Sequence, residues 1–223
     1  MRVAAYIDGF SFYYSCFSGR TKGVHAHLKW LNYRLLCENL FPADSVSLVR
    51  YFTAIAPSPP HDPDQANRHS TYIRALRTIL DLHVHVGSFS RSKREVLLVR
   101  PPAGVSVRQT AFVTQEKKSD VLLASHFLID SFSGSIDSAV LLTNDSDFVP
   151  AIELVRQVVG IDVGVISPDR TVGKELSKTA SFAHVLDKGL LFTSQLPNPV
   201  VDAEGNEIRM PDRWQRNRHP ADG

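Results

Sequence analysis

Residues 138–166, SAVLLTNDSDFVPAIELVRQVVGIDVGVI, contain the pattern that decides the fold. An apolar run over 138–143 predicts a buried strand, 148–159 has helical spacing, Gly160 suits the end of that helix, and 161–166 is apolar again. A strand, a helix and a second strand in that order form a βαβ unit with parallel strands. Because the rest of the chain repeats this alternation, we predict an α/β fold with a mostly parallel sheet and helices on both faces.

The alternation can be followed along most of the chain. It predicts further strands over 3–8, 47–55, 83–86 and 183–186, and helices starting near 10, over 28–40 and 64–82, from 120 to about 129, and near 172–177. The helix from Asp120 is nearly apolar all round, so we expect it to be well buried. We assign residues 1–192 to one domain and expect 193–223, with its prolines and charges, to form an extended or partly disordered tail.

Residues 88–116 interrupt the alternation of strands and helices. They contain two polar and β-branched stretches around Pro101 and Gly104, which predicts a basic β-hairpin insertion. Its cations are candidates for contacts with substrate phosphates, although a basic run is also typical of a solvated face. The candidate substrate-binding residues here are Arg91, Lys93 and Arg94.

Four aspartates are expected at one edge of the sheet. Asp8 ends the first strand, Asp145 and Asp147 follow the strand at 138–143, and Asp120 opens a helix. Ligands of open parallel sheets bind beyond the carboxyl ends of the strands. Gathered carboxylates repel one another unless a cation lies between them, and Mg²⁺ and Mn²⁺ prefer hard oxygen ligands. We therefore predict a Mg²⁺ or Mn²⁺ site in which these aspartates are ligands and catalytic groups for phosphodiester hydrolysis.

Three motifs, in this order, resemble the NYN domain (LabA-like) branch of the PIN-like metal-dependent ribonucleases. They are Tyr6-Ile7-Asp8-Gly9-Phe10, Glu116-Lys117-Lys118-Ser119-Asp120-Val121 and Thr143-Asn144-Asp145-Ser146-Asp147-Phe148-Val149-Pro150. The resemblance covers roughly residues 2–190. It implies a PIN-like three-layer α/β/α fold, a metal site formed by the four aspartates, and endonucleolytic or processing activity on RNA. Single-stranded RNA is the expected partner.

The chain departs from the family pattern at two positions. Ser11 stands where the family usually has Asn, and its hydroxyl can still hydrogen-bond a water or a neighbouring carboxylate. Lys118 replaces Gly and, together with Lys117, can contact a substrate phosphate. Asn144 and Glu116 are expected beside the ligands, although a solvated charge pair with Lys117 explains Glu116 equally well.

Each aspartate also has a simpler explanation. Asp145 and Asp147 can cap the helix that follows them, and Asp120 suits the first turn of its helix. Asp8 can form a local turn. Two other functions would use the same acidic edge. One is a binding module that recruits RNA or a regulatory protein partner without turnover, which the departure at Ser11 favours, and the other is a metal-dependent phosphatase acting on small phosphate esters.

Composition narrows the remaining classes of protein. The formal net charge of +2 is too small to indicate a nucleic acid or an anionic membrane by itself. No apolar run reaches about 18 residues, so we expect no membrane partner and a cytoplasmic protein. Cys16 and Cys37 lack CxxC spacing, and nothing completes a zinc set with His83 and His85. A homo-oligomer is left open.

Overall fold

The structure, a computed structural model, describes residues 1–18 and 26–215. The strands are β1 (Arg2–Asp8), β2 (Ser45–Thr53), β3 (Leu82–Val86), β4 (Ser88–Leu97), β5 (Arg108–Lys117), β6 (Ser138–Leu142), β7 (Asp162–Ser167), β8 (Phe182–Val185), β9 (Val200–Val201) and β10 (Glu207–Ile208). The α-helices are α1 (Gly9–Phe17), α2 (Tyr33–Leu40), α3 (Gln65–Leu76), α4 (Ser119–Phe132), α5 (Val149–Leu154), α6 (Lys174–Thr179) and α7 (Leu190–Thr193). The predicted α/β fold is confirmed.

Strand β1 lies in the middle of a six-stranded sheet of order β3-β2-β1-β6-β7-β8, and all of its neighbouring pairs are parallel. Ile7 pairs with Tyr51 of β2 on one side and with Leu142 of β6 on the other. The direction in which strands are added therefore reverses between β1 and β6. A crevice opens beyond the carboxyl ends of the strands at such a point, which makes the ends of β1 and β6 the expected place for a ligand.

Successive residues of β1 point to opposite faces of the sheet, and helices cover the apolar side chains on both faces. Val3, Ala5 and Ile7 belong to a core shared with α1, α2 and α3. Ala4 and Tyr6 belong to the other core, which α4, α5 and α6 complete. Within the described ranges, no helix has the length and apolar character needed to cross a membrane.

Helix α4 differs from its prediction. Leu123 and Phe127 are buried against the sheet, but Val121, Ile129 and Phe132 are 70%, 63% and 51% exposed. The expectation of a helix buried on all sides was wrong, because an outer layer can cover only the face that meets the sheet.

The helix predicted over 28–40 is divided into two parts. A 3-10 turn at Ala26–Lys29 precedes α2, and Trp30 and Leu31 between them are fully buried. The side chain of Asn32 caps α2, since its Oδ1 accepts a hydrogen bond from the backbone N of Leu35 at 3.0 Å. This capping signal marks the break that apolar periodicity alone does not reveal.

A charged network lies between the sheet and α4. Arg50 donates from Nε and Nη2 to Asp130 at 2.7 and 2.9 Å, and the Tyr6 hydroxyl donates to the same carboxylate at 2.9 Å. Nη1 of Arg50 lies 3.2 Å from Nε2 of His85, which must therefore be the acceptor. The His85 ring contacts the His126 ring at a tilt of 42°, with centroids 4.0 Å apart. Burial, His126 and Arg50 lower the pKa of His85 to about 4, so this ring is neutral at pH 7.

The predicted hairpin is present. Strands β4 and β5 form an antiparallel two-stranded sheet of their own, in which Phe89 pairs with Glu116 and Lys93 with Phe112. The C-terminal segment is extended for much of its length and packs on the domain. Its Val200 and Ile208 are buried, and its Trp214 lies against Trp30 and Tyr72 with ring centroids 6.5 and 5.9 Å apart. Arg216 and Arg218, two cations near Trp214 in sequence, lie outside the described residues.

Candidate metal centre

Asp8 is fixed at the end of β1 by three hydrogen bonds. Its Oδ1 accepts from the backbone N of Phe10 at 3.1 Å and of Ser11 at 3.0 Å, so Asp8 is the N-cap of α1. Its Oδ2 accepts from Oγ1 of Thr143 at 2.9 Å, which links it to the end of β6. The residue is only 7% exposed. Burial raises the pKa of Asp8, these hydrogen bonds lower it, and the charge of Asp145 raises it further.

Asp145 and Asp147 lie on the loop after β6. The backbone N of Asp145 donates to Oγ1 of Thr143 at 3.1 Å, so this hydroxyl contacts both Asp8 and Asp145. Oδ1 of Asp145 accepts from the backbone N of Asp147 at 3.0 Å and caps the short 3-10 helix at Ser146–Phe148. Asp145 is half-buried and Asp147 is exposed. The capping explanation is therefore confirmed for Asp145, and it holds for Asp8 too.

Asp120 is brought to the same site by the first turn of α4. Burial raises its pKa to about 6, and the charges of Asp8, Glu116, Asp145 and Asp147 raise it further in that order of size. The other three predicted ligands therefore lie close enough to Asp120 to oppose its ionisation. This mutual repulsion is the electrostatic condition that a bound cation would relieve.

The carboxylates do not form a closed cage. Within residues 1–18 and 26–215, no three carboxylate, imidazole or thiolate side chains lie close enough together to hold a metal ion between them. Mg²⁺ usually takes one or two carboxylates and completes its octahedral shell with water and substrate oxygens. The four aspartates fit that mode of binding by their chemistry, because every donor is a hard oxygen and the summed charge is strongly negative.

Ser11 and Asn144 hold neighbouring loops in place. Oγ of Ser11 accepts from the backbone N of Asn144 at 3.3 Å. Nδ2 of Asn144 donates to Asp169 at 2.9 Å, and its Oδ1 accepts from the backbone N of Gly173 at 2.8 Å. Asp169 is a fifth acidic residue at this edge that the sequence analysis missed. The available signal was its position just after the apolar strand β7, which matches the position of Asp145 after β6.

Glu116 caps α4. Its Oε1 accepts from the backbone N of Ser119 at 3.1 Å and also from the Ser119 hydroxyl, which is inconsistent with the alternative of a solvated pair with Lys117. Ser119, the first residue of α4, is thus held by Glu116 through both its backbone N and its hydroxyl. Gly87 packs closely against the junction between β5 and α4, since a Cβ there would lie 2.6 Å from the carbonyl oxygen of Lys117. Lys118 has a φ of 83° and is exposed beside the first turn of α4.

The hairpin brings only some of the predicted cations together. Arg91 and Lys93 lie on one face of β4, where both contact the ring of Phe112 across the hairpin. Arg94 follows Lys93 directly and therefore points to the other face, where its Nε donates to Ser92 at 3.2 Å. Lys117 points to the face opposite Glu116 by the same alternation.

The family of the chain follows from its sequence together with this arrangement. The profile of the NYN domain matches residues 2–187. The chain belongs to the NYN domain family. NYN domains are generally nucleases, so membership supports an enzyme with a nuclease-type function and binding to nucleic acid.

Individual relatives differ in what their names say. The chain is 30% identical over 243 residues to 6-hydroxy-3-succinoylpyridine 3-monooxygenase HspA of Pseudomonas putida (strain DSM 28022 / S16), covering 96% of this chain and 75% of HspA. Among solved structures, the protein of unknown function VPA0982 from Vibrio parahaemolyticus RIMD 2210633 is 16% identical with a TM-score of 0.49, covering 83% of this chain and 93% of that one. MurG of Acinetobacter baumannii is 10% identical with a TM-score of 0.34, covering 83% and 41%.

Proposed function

We propose that this protein is a ribonuclease of the LabA-like branch, within the PIN-like superfamily, that depends on Mg²⁺ or Mn²⁺ and hydrolyses phosphodiester bonds of single-stranded RNA. The observation that carries the proposal is the link from Asp8 through the Thr143 hydroxyl to Asp145 at the point where the strand order reverses, with the first turn of α4 bringing Asp120 near enough for their charges to raise its pKa. Structural capping explains Asp8 and Asp145, but it gives no reason for Asp120 to stand beside them. A cation bound there would neutralise charge on the phosphate and lower the pKa of a bound water.

The residues of the chain contribute orientation and charge. Asp8 is pre-oriented by its three hydrogen bonds, which reduces the reorganisation needed when a substrate binds. Thr143 fixes the relative position of Asp8 and Asp145.

Cations around this edge would contact the RNA phosphates. Lys117 and Lys118 flank the first turn of α4, and Arg91 and Lys93 extend the positive charge along the hairpin. Binding that depends on such contacts weakens as salt is added, because RNA binding releases counterions. We propose that the enzyme works in the cytoplasm, either as a homo-oligomer or with a regulatory protein partner.

A second candidate function is oxygenation of a hydroxylated pyridine. It is favoured by one observation, the 30% identity to HspA over 96% of this chain. Such a reaction places one oxygen atom of O₂ in the substrate and reduces the other to water, so it needs an external two-electron donor. The two functions therefore differ in substrate and in co-reactant.

The test incubates the purified protein with end-labelled single-stranded RNA in Mg²⁺ or Mn²⁺, with EDTA as a control. Parallel reactions contain Asp8→Asn, Asp120→Asn and Asp145→Asn. Asp162→Asn is the matched control, because Asp162 is exposed at the opposite end of β7. The proposal requires cleavage that needs metal, survives in Asp162→Asn and is lost in the three site variants.

Other outcomes have equally definite meanings. RNA that is bound but uncut would identify a binding module, and hydrolysis confined to small phosphate esters would identify a phosphatase. A further reaction contains 6-hydroxy-3-succinoylpyridine, O₂ and reduced nicotinamide, and the loss of the pyridine is followed. Turnover there without RNA cleavage would replace the ribonuclease by the oxygenase.

A further inference from the structure

A row of aromatic side chains begins immediately beside the carboxylate site. The backbone N of Phe10 donates to Asp8, and the Phe10 ring contacts two neighbours. It is stacked with Tyr14 at a centroid distance of 6.5 Å and meets Phe89 of the hairpin edge-on at 5.8 Å. Tyr13 continues the row, at 5.6 Å from Tyr14. The row therefore joins α1 to the base of the hairpin.

The row continues from Phe89 along one face of the hairpin. Residues 89, 91 and 93 alternate onto the same face of β4, and cross-strand pairing places Phe112 on that face too. The guanidinium of Arg91 lies 4.3 Å from the centre of the Phe112 ring, and Nζ of Lys93 lies 5.7 Å from it. At the other end of the row, Nζ of Lys29 lies 5.1 Å from the centre of the Tyr13 ring. Cations thus accompany the aromatic rings at both ends.

The outer rings of the row are open to solvent, whereas Phe10 and Phe89 between them are half-buried. Tyr14 is 64% exposed and Phe112 is 57% exposed, although large aromatic side chains are costly to leave in water. The outer face of α4 also exposes apolar groups such as Ile129 and Phe132, but no cation stacks on them among the described residues. A surface that combines exposed rings with cations matches a polyanion whose bases have free π-faces.

We propose that Phe10, Tyr14, Phe89 and Phe112 form a base-stacking row that holds single-stranded RNA across the carboxylate site, with Arg91 and Lys93 against its phosphates. The inference rests on the proposed ribonuclease function and adds the way in which the substrate is gripped. Stacking on aromatic side chains tolerates any base sequence, since every base has a π-face. Duplex RNA keeps its bases paired and stacked, so the row selects single strands.

Binding is measured without catalysis, in EDTA, by fluorescence anisotropy of a labelled single-stranded oligoribonucleotide. Tyr14→Ala and Phe112→Ala are each expected to weaken binding by about 5- to 150-fold, the range for loss of one stacked base. The plot of log affinity against log salt concentration for Tyr14→Ala should keep the wild-type slope, because the variant removes no phosphate contact. Lys93→Ala should instead lower the magnitude of that slope by about 0.7.

The controls separate stacking from damage to the fold. Tyr14→Trp keeps a ring and should restore binding, and Phe132→Ala removes an exposed ring at the far end of α4 and should bind like wild type. Unlabelled duplex of the same sequence should compete poorly. Three results would each refute the proposed row. The first is wild-type affinity in both Tyr14→Ala and Phe112→Ala, the second is equal binding of duplex and single strand, and the third is a wild-type protein that binds no RNA.

The same experiment distinguishes the row from the nuclease activity. If the aromatic variants lose binding but the wild-type protein with Mg²⁺ or Mn²⁺ cuts nothing, the ribonuclease proposal fails and the row stands. If cleavage is efficient and the aromatic variants bind and cut like wild type, the ribonuclease stands and the row fails.

Discussion

Replacing Asp120 with Asn is expected to stabilise the metal-free protein while it abolishes cleavage. The pKa of this carboxyl group is raised from 3.8 to about 6, by burial first and then by Asp8, Glu116 and the two aspartates after β6. That difference corresponds to about 3 kcal/mol of unfavourable ionisation at neutral pH. Neighbouring atoms desolvate part of the Asp120 carboxyl group, but the residue as a whole is exposed, so screening by solvent reduces the figure to about 1.5 kcal/mol.

A second effect has the opposite sign. Asp120 lies in the first turn of α4, where a negative charge interacts favourably with the helix by about 0.5 kcal/mol. The net expectation for Asp120→Asn is therefore a gain of about 1 kcal/mol in the free energy of unfolding at pH 7.5. The folded-state pKa is raised, so the wild-type protein has its full stability below pH 3.8 and loses it as pH rises through about 6. The advantage of the variant should therefore be smaller at pH 4.5 than at pH 7.5 and vanish below about pH 3.8.

Urea unfolding in EDTA at pH 7.5 and pH 4.5 measures this difference, and Asp162→Asn serves as the neutral control. Added Mg²⁺ or Mn²⁺ should then reverse the order. A ligand at one hundred times its dissociation constant stabilises the folded state by about 2.7 kcal/mol, and the variant should gain much less. If Asp120→Asn is less stable than wild type at pH 7.5 without metal, Asp120 is only a favourable helix-end charge, and the argument from repulsion is refuted.

Three further predictions concern the framework of the site. Gly87→Ala should cost about 1 to 3 kcal/mol of stability in thermal unfolding and displace the hairpin, because the new Cβ would lie 2.6 Å from a β5 carbonyl oxygen. Asp130→Ala should cost about 3 kcal/mol in urea unfolding, because it leaves the guanidinium of Arg50 unpaired between the sheet and α4. Burial lowers the pKa of His69 and of His85 to about 4, so stability measured by urea should be full above pH 6.5 and fall by about 3 kcal/mol as pH drops towards 4.

Each framework prediction has a control. Gly173→Ala should be nearly neutral, since the nearest atom to its Cβ would be 3.6 Å away. Equal stability of Gly87→Ala and Gly173→Ala would show that the hairpin base is not tightly packed. Asp137→Ala breaks an exposed ion pair with Arg2, so a loss as large as that of Asp130→Ala would contradict the role of burial. The histidine effect is best measured in Asp120→Asn, which lacks the opposing titration of that carboxyl group. A flat stability profile of this variant between pH 6.5 and 4 would mean that the two imidazoles are not desolvated.

Local sequence patterns predicted most of the fold because the strands and helices that they favour are those that the folded chain contains. The βαβ unit over 138–166 was evident from its apolar strands and from Gly160. This glycine, with a φ of 77°, ends the π-helical segment Val155–Val159 that continues α5. The helical role of Asp8 was not evident. It depends on α1 beginning at Gly9, where a Cβ would lie 2.5 Å from the carbonyl oxygen of Phe52 on the next strand. Such close packing between strands cannot be inferred from local sequence.

The composition of the site was predictable to the extent that it depends on strand order. Asp8 and Asp145 were placed together because each follows a parallel strand, and the structure links them through Thr143. The aromatic row was missed because the contact of Phe10 with Phe89 joins residues far apart in the chain, and only the docked hairpin brings them together. The cap formed by Glu116 on α4 also requires three-dimensional geometry, since its neighbour Lys117 offers an equally plausible partner in sequence.

The four aspartates differ in the hydrogen bonds that their side chains accept, and this difference decides which variant is most informative. Asp8 and Asp145 accept backbone hydrogen bonds, so loss of activity in their variants can follow from a disturbed helix start as well as from a lost ligand. The side chains of Asp120 and Asp147 accept no hydrogen bond within the described residues. Asp147→Asn should therefore leave thermal unfolding in EDTA unchanged within about 0.5 kcal/mol and still abolish metal-dependent cleavage. Full cleavage by this folded variant would restrict the metal site to the other three carboxylates.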